Sequence, residues 1–443
     1  MKYINYNMMK NFVKFAIALF FIPFFLFSCE SDNEESGDDP VDIYDRTVII
    51  YMAAENDLNS HWSNDYEEIV RGAKNLSIYQ NLIVYVDRKS TSEKPYIAKI
   101  SSDGAKKVRQ FDKDSYACDP AVMKDVINWT INKYPSKSYG IVFWGHSDGT
   151  GWYMQDTNRS YSKQNIISFS SGDDDNSDSN IPLTRAFMFD NGTDLNSYAK
   201  WMNIPTFGKT LSELPHFDFI FFDVCSMMTT EVLYEIRNSC DYVIGSPSEV
   251  PGCGAPYDYV VSDLFLPMDQ LGAAIINDYA NKNAFAAGEG VPMSVVKTRN
   301  MEALARATSD ALKKFKTDFT YPKEPSINGC IYYYAGDLSL SRPMMVDLRD
   351  FMLKNLSEND FKTWETVFKA TVVNSIHPAK KWLTIYQINF DDFKMTDENF
   401  GGLSFFVPQA VYSQNKVRES PNIQTKYLEL SKIIDWSKWG WDK

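Results

Sequence analysis

The stretch FDFIFFDVCSMMTTEVLYEI, residues 217–236, decides how this chain is read. Its apolar run ends at Asp223, and a run this short bounded by polar residues reads as a buried strand. Cys225 follows. From about 227 to 238 the apolar residues Met228, Val232, Leu233 and Ile236 fall on one face at helical spacing. The segment therefore predicts a strand, a cysteine and a helix. Similar short apolar runs lie at 47–55, 82–87, 140–145 and 241–246, with helical patterns at 58–74 and 121–134. Continuous apolar strands alternating with helices predict an α/β fold, with a mostly parallel sheet covered by helices on both faces. Chemistry in such sheets gathers at the carboxyl ends of strands. Cys225 stands at one such end. His146, just past the run IVFW (141–144), stands at another.

Beyond residue 260 the chain turns more helical. Patterns at 266–287, 301–319, 344–356 and 360–376 predict helices, most of them a C-terminal bundle. Strand-like pieces at 293–297, 383–390 and 403–407 are expected to return to the same sheet. This gives an organisation of 1–28 as a signal peptide, 29–45 as a tether, 46–298 as the catalytic domain and 299–443 as a largely helical region.

The N-terminus carries Lys2, Lys10 and Lys14 ahead of an apolar stretch from Phe15 to Phe27, too short to span a bilayer comfortably. The following LFSC (26–29) resembles a bacterial lipobox, which implies lipidation of Cys29 after cleavage. Residues 30–45, ESDNEESGDDPVDIYD, hold eight acids and no Lys or Arg. Charge this dense cannot bury a core, so the segment reads as a flexible tether. It also resembles the surface-export signal of Bacteroidetes lipoproteins, implying a lipid-anchored outer-membrane or cell-surface location. The formal charge of −13 argues against nucleic acid as a partner. Cys118, Cys225, Cys240, Cys253 and Cys330 remain beyond Cys29, and an odd number in an exported chain leaves at least one thiol free. With four histidines and no C-x-x-C pair, zinc has little support. The acidic segment SSGDDDNSDSN (170–180) fails the EF-hand pattern, since Asp178 stands at the glycine position and Thr184 at the closing glutamate.

The residues GHSDG (145–149) fit the Gly-x-Ser-x-Gly elbow of serine hydrolases and would make Ser147 an esterase nucleophile. That elbow needs a helix immediately after the turn. Here TGWY and polar residues follow, so the match reads as accidental. Cys225 has the strand–turn–helix setting that the serine lacks, and a helix N-terminus there is expected to favour thiolate.

The paired blocks, a strand then His and a strand then Asp-x-Cys, resemble the caspase-like cysteine peptidases, and more closely the clostripain family. YMAAENDL (51–58), WGHSDGTGW (144–152), FDVCSM (222–227), GSPSEVPGCGAPYD (245–258), MSVVKT (293–298) and GLSFFVP (402–408) carry that resemblance over 46–408. It implies a caspase-like fold and a His146–Cys225 dyad. The Cys225 N–H and one near Ser147 would form the oxyanion hole. Asp223, two residues before Cys225 and on the same side of its strand, becomes the floor of an S1 pocket for Arg or Lys, with Glu249 or Asp258 as further lining. The family usually has Gly where Ser147 follows the histidine, so an inactive surface binding protein on the same fold is the alternative. The resemblance further implies protein or peptide substrates, no cofactor for the chemistry, a possible role for calcium, and self-cleavage between His and Cys. Arg159 and Lys163 are the first choices for that cut, ahead of Arg185, Lys200 and Lys209. A monomer is expected. His61, His216 and His377 read as structural, and Trp436, Trp439 and Trp441 as packing.

Overall fold

In a computed structural model the protein is described over residues 43–149, 167–169, 187–192, 200–335, 343–384, 388–413 and 421–442. Cys29, Arg159, Lys163, Arg185 and the 170–180 segment lie outside these residues.

A nine-stranded sheet organises the chain. Its strands are β1 (Arg46–Ala54), β2 (Gln80–Arg88), β3 (Tyr96–Ser101), β4 (Gly104–Gln110), β5 (Tyr139–Trp144), β6 (Phe217–Asp223), β7 (Cys240–Gly245), β8 (Met293–Lys297) and β9 (Val372–Ile376). Their spatial order is β9-β8-β7-β6-β5-β1-β2-β3-β4. The five inner strands β7, β6, β5, β1 and β2 run parallel, and each edge is finished by two antiparallel strands.

The inner strands are apolar on both sides because both sides are covered. One core holds Phe143, Ile220 and Phe222 under helices α2 (Pro120–Lys133), α3 (Ile204–Ser212), α4 (Thr230–Ile236), α7 (Met301–Leu312), α8 (Leu348–Asn355) and α9 (Glu358–Thr371). The other holds Trp144, Phe219 and Phe221 under α1 (Trp62–Gly72), α5 (Tyr257–Asp263) and α6 (Met268–Lys282). At the far edge β4 exposes Lys106 and Lys107, charges that keep an open edge from pairing with another chain.

Several elements differ from the sequence reading. The β3–β4 hairpin stands where residues 96–110 hold no continuous apolar run. The predicted helix 360–376 ends at Thr371, and Val372–Ile376 instead pairs with β8. Pro343–Asp347 is a strand, with Tyr332–Ala335 and Ser404–Phe406 beside it in a separate three-stranded sheet. The 403–407 run therefore does not return to the main sheet, whereas 293–297 does. The 383–390 run forms no strand among the described residues; the two-residue strand Lys381–Trp382 before it pairs with Glu289–Gly290. Trp436 and Trp441 are buried, and the Trp441 indole donates to the Phe319 carbonyl at 2.7 Å, so the aromatic tail does pack.

Candidate active site

Strands β5 and β6 are direct neighbours, and their parallel register ends with Trp144 opposite Asp223. His146 and Cys225 each lie two residues beyond that last pair. The sheet thus delivers both level with one another at its carboxyl edge.

The loop after His146 is closed onto the turn after Cys225. Gly149 has φ +60°, and a Cβ there would lie 2.3 Å from the Ser226 carbonyl oxygen. Ser226 itself is held at φ +59°, a left-handed conformation that costs a non-glycine residue roughly 1–2 kcal/mol. Its N–H donates to the Ser248 carbonyl at 2.8 Å, and the Met228 N–H donates to that of Ser246 at 3.1 Å. The Cys225 turn is therefore zipped to the loop that follows β7.

That loop also holds the thiol. The Val250 N–H donates to Cys225 Sγ at 3.4 Å, and the Val250 carbonyl lies 3.9 Å from the sulfur. Burial pushes the thiol pKa up to about 12; Glu249, Asp148 and Asp223 add to this and the Val250 N–H opposes it. The expectation of a dipole-stabilised thiolate is corrected. Helix α4 begins only at Thr230, capped by the Thr229 side chain, so Cys225 does not sit on a helix N-terminus.

The His146 ring is oriented by a carboxylate that the sequence reading did not single out. Its Nε2 lies 2.6 Å from Asp57 Oδ1, on the short 3₁₀ turn after β1. Ser147 is 3% exposed, and its hydroxyl accepts the Gly149 N–H at 3.2 Å. A hydroxyl turned back into its own loop does not suit a nucleophile.

Asp223 lies on the α5–α6 side of the sheet. It is buried and takes hydrogen bonds from the Ala255 N–H at 2.9 Å, Tyr257 at 2.9 Å and Tyr279 at 3.1 Å. Burial still raises its pKa despite these three donors. Asp65 of α1 joins it: its Oδ2 accepts the Trp144 indole N–H at 2.7 Å. Burial first, and the Asp223 carboxylate second, raise Asp65 to about 8. Gly254, at φ +62°, fits between the two acids, since a Cβ would meet Asp65 Oδ2 at 2.8 Å and Asp223 Oδ2 at 3.0 Å. Asp65 stands four residues before buried Ile69, and an acid in that stripe was the signal available in the sequence. Of the two further lining candidates, Glu249 acts on the thiol, whereas Asp258 is tied to Arg71 at 2.8 and 3.0 Å on the surface.

All five described cysteines are free, and Cys253 is exposed. His216 is engaged by Asp241 and the Asn238 carbonyl, and His377 by Asp397 and the Pro378 carbonyl. His61 precedes α1.

The clostripain family model matches residues 50–164 and 153–441. The chain belongs to the clostripain family. It is 27% identical over 241 residues to clostripain of Hathewaya histolytica, a match covering 48% of this chain and 41% of that protein. A secreted C11 cysteine protease from Bacteroides thetaiotaomicron, solved with an irreversible peptide inhibitor, is similar at 26% identity and a TM-score of 0.67, over 89% of this chain and 99% of that one. An inactive zymogen C11 protease from Parabacteroides distasonis shares the fold at 22% identity, with a TM-score of 0.65 over 88% and 98% of the two chains. Within the clostripain family the chemistry needs no cofactor. No helix among the described residues is long and apolar enough to cross a membrane.

Proposed function

We propose that the protein is a cysteine endopeptidase that cleaves after Arg or Lys through a His146–Cys225 dyad. The observation that carries this reading is the β5–β6 register, which brings a histidine and a cysteine out level on adjacent strands. At rest Cys225 is a neutral thiol, and His146 acts as its base. The thiolate attacks the scissile carbonyl, the oxyanion turns towards the N–H groups of Cys225 and of the Ser147 loop, and imidazolium protonates the leaving amine. His146 then takes a proton from water, deacylation follows, and the thiol is restored. Asp57 at Nε2 orients the ring and leaves Nδ1 for these transfers.

The pair Asp223 and Asp65 supports a basic P1 residue, because a cation resolves two carboxylates crowded out of water. Residues 46–298 carry these groups, and 299–443 complete the core beneath them. Cys29 is the lipid anchor of a cell-surface enzyme, which acts as a monomer. The enzyme activates itself by cutting after Arg159 or Lys163. Lys200 is in a paired strand and Lys209 in mid-helix α3, where a chain must unfold to enter a cleft. A second reading, an inactive binding protein on this fold, is favoured by the high thiol pKa and by Ser147 in place of glycine.

A fluorogenic peptide panel varied at P1, run on wild type and Cys225→Ala, tests the proposal. Cleavage after Arg and Lys in wild type alone is expected. No cleavage of any peptide by wild type that has been nicked between His146 and Cys225 by an added protease supports the binding protein. N-terminal sequencing of both proteins tests self-activation: a cut at Arg159 or Lys163 appears in wild type and is absent from Cys225→Ala prepared alone.

A further inference from the structure

We infer that Phe189 and Trp201 form the S1′ subsite, an aromatic shelf that selects large apolar residues on the leaving side of the scissile bond. The inference rests on the His146–Cys225 dyad proposed above, and it concerns the part of the substrate that the acidic pocket does not read.

The sheet sets the direction of the substrate. Along its carboxyl edge the order β7-β6-β5-β1 places the Val250 loop, Cys225, His146 and Asp57 one after another. The imidazolium hands its proton to the leaving amine. The residue after the scissile bond must therefore depart past His146, away from the loop that holds the thiol. Asp223, with Tyr257 and Tyr279, occupies the α5–α6 face of the sheet. Beside His146, packed with the core of the opposite face, is the short strand Phe187–Asp190, paired antiparallel with Lys200–Met202.

A kink in that strand aims Phe189. Residues 187 and 189 of a regular strand would point the same way. Met188 instead adopts φ +58°, a left-handed conformation rare in a residue with a side chain. Phe187 goes into the core, its ring centroid 4.0 Å from that of Phe207 and 5.1 Å from that of Phe143. Phe189 is left half-buried, edge-on to the His146 ring at 6.3 Å. Trp201, also half-buried, packs on Phe189 at 4.7 Å. The backbone fixes this arrangement: the Met188 N–H donates to the His146 carbonyl at 2.9 Å, and the Asn56 side chain donates to the Phe189 carbonyl at 2.8 Å. Asn56 also caps the turn that carries Asp57, accepting the Leu58 N–H at 2.9 Å. The shelf is thus tied to both segments that hold the histidine and its carboxylate. Two partly exposed rings offer apolar area and a π face to a P1′ side chain. An acidic P1′ residue would instead meet the exposed Asp57 carboxylate, a like charge.

The test uses mature wild type, cut between His146 and Cys225 by itself or by an added protease, and Phe189→Ala. Internally quenched peptides share one sequence with Arg at P1 and carry Phe, Leu, Gly or Asp at P1′. Wild type is expected to favour Phe over Gly by about five- to tenfold in kcat/KM, the scale of one aromatic contact, with Asp the poorest. Phe189→Ala should bring the Phe-to-Gly ratio close to one and leave the Gly peptide nearly unaffected. Acyl transfer from an arginine ester gives a second readout: phenylalanine amide should outcompete glycine amide for the acyl-enzyme in wild type and lose that advantage in the variant. If Phe189→Ala does not fold, Trp201→Ala should lower the same ratios. Wild type that cleaves after Arg with a flat P1′ profile overturns the inference and leaves the dyad standing. Equal losses on every P1′ residue in Phe189→Ala also overturn it, since they assign Phe189 to packing against His146 alone. No cleavage of any peptide by the nicked wild type overturns the dyad and the subsite together.

Discussion

Replacing Gly149 by alanine should damage both stability and catalysis, for reasons that can be separated. The left-handed φ of +60° costs an alanine roughly 1–2 kcal/mol. The new Cβ would also sit 2.3 Å from the Ser226 carbonyl oxygen. That atom is backbone and cannot rotate away, so the His146 loop and the Cys225 turn must part by about an ångström. A misplacement of about 1 Å in a catalytic constellation can cost on the order of a hundredfold in rate. Total destabilisation of about 2–4 kcal/mol is expected, combining the strain with a clash of the overpacking kind. Gly104→Ala is the control, since its φ of +108° is also left-handed but nothing lies within 4 Å of its Cβ. It should lose stability through backbone strain and keep full activity. Urea melts and kcat/KM on an Arg-P1 peptide measure the two effects. If Gly149→Ala matches wild type in both, the loop and the turn are not closed on one another as described.

Asp57→Asn should lower kcat about fivefold with KM unchanged, the scale of an exposed ion-pair partner; an unchanged kcat would remove Asp57 from the positioning of His146. Asp223→Asn should reduce kcat/KM for Arg-P1 peptides by a margin equivalent to ~3–5 kcal/mol if the pair is fully desolvated, and equal losses on neutral P1 peptides would show damage without specificity. Asp65 is raised from 3.8 to about 8, so the folded protein holds that proton more tightly than the unfolded chain does. Its contribution is present at low pH and is lost as pH climbs from about 4 through 8. Asp65→Asn, which retains an acceptor for the Trp144 indole, should therefore melt above wild type at pH 8, by less at pH 5, and close to it only below about pH 4. A gap that widens towards acid would reverse the assignment.

The inner strands were legible because burial on both faces leaves continuous apolar runs, as in β1 and β6. Edge strands lack that signature. YIAKIS and GAKKVRQ mix lysines with apolar residues, and VVNSI follows a helical pattern with no glycine or proline to announce the change. Pro343–Asp347 was absorbed into a helix, although Asp347 caps the real one, accepting the Arg349 N–H at 3.0 Å and the Asp350 N–H at 3.1 Å. In the site, His146, Cys225 and Asp223 were legible because each follows or ends a strand. Asp57 and Asp65 were not, since their roles depend on where a 3₁₀ turn and helix α1 meet β5 across the sheet. The helix start was misplaced by three residues, which is why the thiol was expected to be a thiolate.

The central claim, that Cys225 is the nucleophile at a site selective for basic P1 residues, is tested most directly by covalent labelling. A peptide acyloxymethyl ketone with Lys at P1 is incubated with the mature enzyme, and the adduct is located by peptide mass spectrometry. One adduct per chain on Cys225 is predicted, lost in His146→Ala and prevented by an Arg-P1 competitor. An adduct on exposed Cys253 or on Ser147, with Cys225 untouched, would contradict it.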